Sequence, residues 1–251
     1  MVSKAQLPHP LPGAVGLSHL SAYDWEAADG MCGGSPHLHT VCTEAYVVTG
    51  GRGAVQTLTS DGYRQTDLQA GSVAWFTPGT VHRMVQRDAL KVTVLMQNSG
   101  LPEAGDAIFT FPTEILADPE RYAAAAALPG KEGPAVEAAT RERRDLAIEG
   151  YLALREALEA GDNGPFLDFQ RAAARLVRSR VPQWQELWQA GALATARRTG
   201  RQLAALAAGD PSHLAEAAVH TAEPTRHDGY GMCGRRQEYE LSGTTLPYYG
   251  E

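Results

Sequence analysis

The feature that most constrains the fold is a change of sequence pattern near residue 113. From about residue 15 up to that point, short runs rich in valine, threonine and aromatic residues follow one another, and glycine, proline or aspartate separates them. Such runs are typical of β-strands, and residues such as Ser60-Asp61-Gly62 suit the turns between them. Many short strands at even spacing favour a closed barrel or a sandwich.

From residue 113 to about 222 the composition changes to alanine, leucine, glutamate and arginine, which are strong helix formers. Tyr151 and Leu154 belong to an amphipathic stripe that recurs every three or four residues. Four or five helices are expected, and Pro182 should interrupt the helix that starts near Pro165. We interpret two arginine groups as solvated helix faces rather than as a phosphate site: Arg141, Arg143 and Arg144, and Arg171, Arg175 and Arg178.

These patterns divide the chain into a β-region at 1–112, a helical region at 113–222 and a non-helical tail at 223–251. The tail is rich in glycine, proline and tyrosine, and we expect it to return to the β-region as an extra strand or to cover its mouth. A chain of 251 residues suits one large domain, or one domain with a sizeable appendage. The helical appendage is expected to shape the barrel entrance or to form a dimer contact.

Composition and charge narrow the classes of function. The 22 basic and 29 acidic residues give a net charge of -7, which argues against a nucleic-acid partner. Three scattered cysteines without a C-x-x-C pair argue against a disulfide framework and a structural zinc knuckle. The sequence shows neither the roughly 20 apolar residues of a membrane span nor the apolar core of a signal peptide. We therefore expect a cytoplasmic protein with reduced thiols and no membrane partner.

Polar residues interrupt one of the strand-like runs, "SPHLHTVCTEAYVVTGG". Residues i and i+2 share one face of a strand, so His37 and His39 should point to the same side. Glu44 begins the next apolar run, and His82 follows a proline-glycine turn. Each of these side chains is costly to bury without a partner, and three imidazoles with one carboxylate suit a divalent metal. The alternative is a hydrogen-bonded polar cluster in the core, without metal.

The two segments resemble the paired motifs of the cupin superfamily, G(X)5HXH(X)3,4E(X)6G and G(X)5PXG(X)2H(X)3N. The first is carried by His37, His39, Glu44 and Gly51, and the second by Gly71, Pro78, Gly79 and His82. Met31 stands where the first glycine is expected, Gly71 is one residue early, and Gln86 replaces the final asparagine. None of these departures removes a ligand. The resemblance covers roughly residues 15–112, and nothing specific is recognised in the helical part.

The resemblance implies a cupin double-stranded β-helix, or jelly roll, with a metal inside. The expected fold class is therefore a mainly β barrel with an α-helical C-terminal appendage. Carried over to this chain, the metal ligands are His37, His39, Glu44 and His82, and the ion is Fe, Mn, Zn or Ni. In an octahedral site two positions would stay open for water, substrate or dioxygen. A net charge near +1 would favour an oxygen-rich or anionic small molecule.

The expected function is a metal-dependent cupin enzyme that acts on a small polar metabolite. Dioxygenase or related oxidoreductase chemistry is favoured, because three histidines and one glutamate suit Fe(II). A sugar or sugar-phosphate isomerase or epimerase is the first alternative, and a non-catalytic ligand-sensing barrel is the second. Tyr46 is a candidate proton donor, although a large core residue is the favoured interpretation, and Gln56 and Gln97 are candidates for hydrogen-bonding a substrate. A homodimer is one expected assembly.

Overall fold

A computed structural model describes residues 10–239 of this chain. The strands of the described part are β1 (Gly16–Ala22), β2 (His37–His39), β3 (Glu44–Thr59), β4 (Gly62–Gln69), β5 (Val73–Phe76), β6 (Val81–Met96), β7 (Ala107–Phe109), β8 (Arg226–Tyr230) and β9 (Gly234–Glu238). The α-helices are α1 (Thr113–Leu116), α2 (Pro119–Ala126), α3 (Pro134–Glu159), α4 (Gly164–Val177), α5 (Val181–Trp188) and α6 (Ala194–Ala207). A large β-region thus precedes the helices, as the change of pattern near residue 113 predicts.

The strands form one antiparallel sheet in the order β4-β3-β6-β1-β9-β8. In addition, β2 pairs with β6 and β7, and β5 pairs with β3. Across residues 10–239 no pairing joins β8 back to β4, so the sheet is not closed. A large antiparallel sheet with a C-terminal helical region is therefore established, whereas the predicted closed barrel is supported only in part.

Strand β3 contains bulges where it pairs with β6, and these bulges change which of its residues face each side of the sheet. Its register with β6 shifts between Val48 and Gly53, so that Val48 pairs with Val92 but Gln56 pairs with Arg83. Gly51 has a φ of 71°, and a Cβ there would lie 2.2 Å from the carbonyl oxygen of Asp88. Only glycine fits such a position. Gly51 therefore forms part of a β-bulge within strand β3 and does not mark the end of that strand.

The described residues form two apolar cores. The first is internal to the strands and includes Leu20, Tyr46, Val48, Val92 and Val94. The second joins strand residues to the helices and includes Leu58, Val81, Phe109, Tyr151 and Phe166. Since burial of apolar surface stabilises a fold in proportion to its area, this shared core ties α3 and α4 to the sheet.

The helical region differs from expectation in the number of its helices and in the place of one interruption. Six α-helices are found instead of four or five, and one of them, α1, has a single turn. Helix α4 ends at Val177, and Pro182 lies in the first turn of α5, where a missing N–H costs nothing. None of the helices within residues 10–239 has the length and apolarity needed to cross a membrane.

Two of the arginines predicted to be solvated are buried. The exposed fraction is 6% for Arg143 and 1% for Arg144. Arg144 donates to the carbonyl oxygens of Trp25 and Glu26, and Arg143 donates to that of Ala126. The solvated-face interpretation is therefore wrong for this pair, because backbone carbonyls of distant loops provide the partners that water would otherwise provide.

The described part of the tail forms a hairpin at the sheet edge. Strand β9 pairs antiparallel with β1, and β8 pairs with β9. The turn between them lies against the first half of the chain, since Ser35 N–H donates to the carbonyl oxygen of Met232. A Cβ on Gly34 would lie 2.4 Å from Cys233 Cα, so the close approach requires glycine. Residues 240–251 of the predicted tail lie outside the described residues.

Candidate metal centre

Three strands bring together the four side chains predicted to bind a metal. His37 of β2 is the register partner of His82 on β6, His39 lies two residues further along β2, and Glu44 begins β3. One ligand atom from each of the four lies within 4.8 Å of the others. The exposed fractions are 2%, 8%, 6% and 1% for His37, His39, Glu44 and His82. The sheet therefore forms a buried cluster of three imidazoles and one carboxylate.

The polar atoms at the centre of this cluster are in close contact with one another. Glu44 Oε2 lies at ion-pair distance from two imidazole nitrogens, 3.1 Å from His39 Nε2 and 2.9 Å from His82 Nε2. Among the described residues, neither Glu44 Oε2 nor His82 Nε2 has a partner that meets the geometry of a hydrogen bond, although buried polar atoms in folded proteins nearly always have one. Donor atoms that converge in this way fit a bound cation.

The opposite nitrogen of each histidine ring is held by the protein. His37 Nδ1 is 2.9 Å from the carbonyl oxygen of Ser35, and His82 Nδ1 is 3.3 Å from that of Thr80. His39 Nδ1 is 3.1 Å from Asp106 Oδ2. Because an oxygen acceptor requires an N–H donor, each Nδ1 is assigned the proton. A ring with its proton on Nδ1 alone keeps the Nε2 lone pair for a ligand bond, the usual arrangement behind metal-binding histidines.

The environment sets the charges of the cluster. Burial lowers the pKa of His37, and His82 and His39 lower it further, so this ring is neutral at pH 7. Burial alone would raise the pKa of Glu44, but His82 and His39 lower it well below its usual value. Burial alone would lower the pKa of His39, yet its hydrogen bonds to Asp106 and Glu44 raise it to about 9. A cation that binds here displaces the His39 proton.

Aromatic side chains of the core that includes Leu20, Tyr46 and Val92 lie beside the cluster. Phe76 stacks on His82 with ring centroids 4.7 Å apart. Tyr46 is fully buried on the same face of β3 as Glu44, and its hydroxyl lies 3.6 Å from Cys233 Sγ. Burial raises the pKa of Tyr46 well above its usual value, and the neighbouring Cys233 and Glu44 add to the effect. Tyr46 therefore keeps its proton beside the cluster.

The two predicted glutamines lie elsewhere. The Gln56 side chain donates to Gln65 Oε1 and accepts from the Tyr151 hydroxyl, on the face of the sheet that packs against α3. Gln97 is exposed, and its Oε1 accepts from the N–H of Thr43. Neither contacts the four clustered residues, so their predicted contact with substrate stays a prediction that their placement does not favour.

Two residues next to the cluster were missed from the sequence. Asp106 is completely buried and binds His39, and Cys233 reaches Tyr46 from the hairpin of the tail. Asp106 lies in the turn Pro102–Asp106 just before β7, and β7 pairs with β2. No local pattern marks either residue, because pairings between distant strands bring both of them to the cluster.

The solved structures similar to this chain include two sugar- or nucleoside-binding proteins and a cupin protein. A variant of Streptomyces PAC13 with uridine is 12% identical, covers 38% of this chain and 65% of its own, and has a TM-score of 0.29. QdtA, a sugar 3,4-ketoisomerase from Thermoanaerobacterium thermosaccharolyticum in complex with TDP, is 15% identical, with coverages of 37% and 64% and a TM-score of 0.31. A cupin protein from Bacteroides fragilis is 24% identical, with coverages of 33% and 60% and a TM-score of 0.23.

These similarities are limited in extent. The chain spans 60 to 65% of the length of the three proteins, and such low identities and TM-scores establish neither a subfamily nor an activity. No protein-family model and no curated protein matches the sequence. What the site can do is therefore argued from its own residues.

Proposed function

We propose that this protein is a metal-dependent enzyme of the cupin type that acts on a small polar metabolite. In this proposal His37, His39, Glu44 and His82 hold one divalent cation, which is Fe, Mn, Zn or Ni. The closed cupin barrel and the division at residues 112 and 222 are parts of the same proposal, as are the cytoplasmic location and the homodimer. The observation that carries it is a buried cluster whose central atoms, Glu44 Oε2 and His82 Nε2, lack hydrogen-bond partners among the described residues.

A metal-free cluster is the competing explanation, and the geometry opposes it. Polar residues buried for packing alone satisfy one another, because each unpaired buried atom costs about 1–3 kcal/mol. Here the protein holds Nδ1 of each histidine, and Nε2 of His39 and of His82 both face Glu44 Oε2. Glu44 Oε2 and His82 Nε2 have no hydrogen-bond partner among the described residues, and a cation held by these atoms would satisfy both.

A bound divalent cation would supply Lewis acidity or an oxygen-binding centre. Glu44 stays ionised and neutralises one positive charge, so the loaded site would attract an anionic or oxygen-rich substrate. In this proposal the Tyr46 hydroxyl, whose raised pKa keeps it protonated, would donate a proton to a substrate oxygen. Phe76 covers one face of His82 and limits the access of water to that ligand.

Two reaction classes fit this site, and a third function needs no reaction. Oxidation by dioxygen is favoured, because a ligand set of three histidines and one carboxylate suits Fe(II). Isomerisation or epimerisation of a sugar or sugar phosphate is the alternative, in which Tyr46 would move a proton. The last candidate is a ligand-sensing barrel that binds its metabolite without converting it.

Reconstitution of the full-length protein tests the proposal. Metal-stripped protein is loaded separately with Fe(II), Mn, Zn or Ni and incubated with sugars, sugar phosphates and small carboxylic acids, with and without dioxygen. We expect product only after metal loading, and oxygen consumption only with Fe(II). His82→Ala should abolish turnover, and His227→Ala, at an exposed histidine of β8, should not.

Each outcome has a definite meaning. Turnover of a sugar without oxygen would favour the isomerase or epimerase function over oxidation by dioxygen. Saturable binding of a metabolite without any product would favour the ligand-sensing barrel over both enzymes. Turnover by the metal-stripped protein, or by His82→Ala, would contradict metal dependence.

A further inference from the structure

We propose that Asp106 is a positioning residue of the metal centre and acts through His39. The inference rests on the metal site proposed above and assigns a role to a residue outside the ligand set. Asp106 ends the turn Pro102–Asp106, and β7 begins at the next residue and pairs with β2, so that Ala107 is the register partner of His39. This pairing places the carboxylate directly behind the ring of His39.

Every lone-pair direction of the buried carboxylate is used. Oδ1 accepts from Thr40 N–H at 2.9 Å, from the Thr40 hydroxyl at 2.6 Å and from Val41 N–H at 2.8 Å. Oδ2 accepts from Cys42 N–H at 3.0 Å and from His39 Nδ1 at 3.1 Å. Asp106 therefore fixes both the ring of His39 and the loop that joins His39 to Glu44, the next ligand along the chain.

His39 is distinguished from the other two histidines by the charge of its partner. His37 and His82 direct Nδ1 at neutral carbonyl oxygens, whereas His39 directs Nδ1 at a carboxylate. A carboxylate can only accept, so it imposes the tautomer with the proton on Nδ1 and the lone pair on Nε2. It also makes the imidazole a stronger electron donor to a bound cation.

Asparagine at this position keeps most of the loop bracing and changes the contact with His39. In Asp106→Asn the amide oxygen can still accept from Thr40 and Val41, but the NH2 group in place of Oδ2 cannot accept from His39 Nδ1 or from Cys42 N–H. That group donates, so His39 Nδ1 must accept and the proton moves to Nε2, where it blocks the metal; the comparison with and without His39 separates this effect from the lost Cys42 bond. Thr40→Val is the matched control, because it removes the hydroxyl bond to Asp106 and leaves the contact with His39 intact.

The test is a double-mutant cycle on Co²⁺ affinity, measured on metal-stripped full-length protein by competition with a chromophoric chelator. We expect Asp106→Asn to weaken Co²⁺ binding about 10- to 100-fold. In the His39→Ala background the same substitution should change the affinity by no more than about twofold, because its effect passes through His39. Thr40→Val should also stay within about twofold of wild type.

The outcomes separate this inference from the metal site itself. Equal weakening with and without His39, or no weakening, would overturn the role of Asp106 while Co²⁺ binding by wild type still supports the site. Failure of wild type to bind Co²⁺ would overturn both. If Asp106→Asn does not fold, the nitrogen resonances of ¹⁵N-histidine in zinc-loaded wild type decide: we expect Nε2 of His39 on zinc and the proton on Nδ1, and the reverse would refute the proposal.

Discussion

Consecutive residues of β6, His82 and Arg83, are both buried and face opposite sides of the sheet. The Arg83 guanidinium forms a two-bonded ion pair with the carboxylate of Asp29, although its Nε lacks a partner among the described residues. Beside it, Gln56 bonds Gln65 and Tyr151. On the Arg83 side the charges are thus matched inside the protein. On the His82 side, Nε2 of His39 and of His82 converge on one oxygen of Glu44.

The difference shows what distinguishes a structural polar cluster from a binding site. Burial is equal on the two sides, with exposed fractions of 1% for His82 and 0% for Arg83. The pairing of charges differs: the Arg83 guanidinium makes two hydrogen bonds to one carboxylate, whereas Glu44 Oε2 faces two imidazole nitrogens without meeting the geometry of a hydrogen bond. We therefore expect stability to depend mainly on the first cluster and ligand binding to depend on the second.

The largest effect is expected from Asp29→Ala, which leaves Arg83 buried without its partner. Breaking a buried ion pair from one side costs about 3–5 kcal/mol, and urea denaturation should show this loss of unfolding free energy. Asp67→Ala is the control, since its ion pair with Arg87 is largely exposed and is worth about 0–1 kcal/mol. Metal stoichiometry should be unchanged in both. Loss of metal from folded Asp29→Ala would show that the two clusters act as one.

Metal should stabilise the protein through the His82 cluster alone. At a free Co²⁺ concentration 100 times the dissociation constant, the unfolding free energy should rise by about 2.7 kcal/mol, because the ion binds only the folded state. Glu44→Gln removes the ionised ligand and should abolish this rise, whereas Asp67→Ala should retain it. Thermal melts with and without Co²⁺ measure the shift, and an equal rise in Glu44→Gln would place the ion elsewhere.

The stability of the metal-free protein and its affinity for Co²⁺ should change with pH in opposite directions. The pKa of His39 is raised from its usual 6.5 to about 9, so its protonation stabilises the metal-free fold fully below about pH 6.5. This contribution is lost as the pH rises towards 9, at up to about 1.4 kcal/mol per pH unit. Co²⁺ affinity should increase over the same interval, because the ion no longer displaces a proton. Parallel trends in chemical denaturation and Co²⁺ titration would contradict the assigned role of His39.

The smallest effect is expected from Gln97→Ala. The Gln97 side chain is exposed and accepts from the N–H of Thr43. Exposed substitutions of this kind usually change stability by no more than about 0.5 kcal/mol, and Co²⁺ affinity should be unaffected. Tenfold weaker binding in a chelator competition would show that Gln97 supports the ligand loop more than its one hydrogen bond indicates.

Local periodicity and the motif resemblance together predicted which four polar residues cluster, but not the face of every strand residue. The i, i+2 rule places His37 and His39 on one side, and the motif resemblance adds Glu44 and His82. Counting in steps of two from Glu44 also places Gln56 on the metal side. The bulges between Val48 and Gly53 shift the register by one residue and reverse that result, and a glycine run does not reveal how many shifts it contains.

Long-range pairing explains what the sequence could not show. Asp106 lies 67 residues from His39 and reaches it only because β7 pairs with β2. Arg143 and Arg144 occupy ordinary positions of a charged helix, and loops more than 100 residues earlier supply the carbonyl partners of Arg144. Charge patterning along a helix therefore predicted exposure wrongly where the partners come from another part of the chain.

The most direct measurement is anomalous diffraction from crystals of the full-length protein loaded with Co²⁺. We predict one strong peak per chain, about 2.0–2.2 Å from Nε2 of His37, His39 and His82 and from a carboxylate oxygen of Glu44, the distances usual for divalent metals of this kind. A peak bound to other residues, or a cluster that stays without metal at saturating Co²⁺, would contradict the proposal that these four side chains form a metal centre.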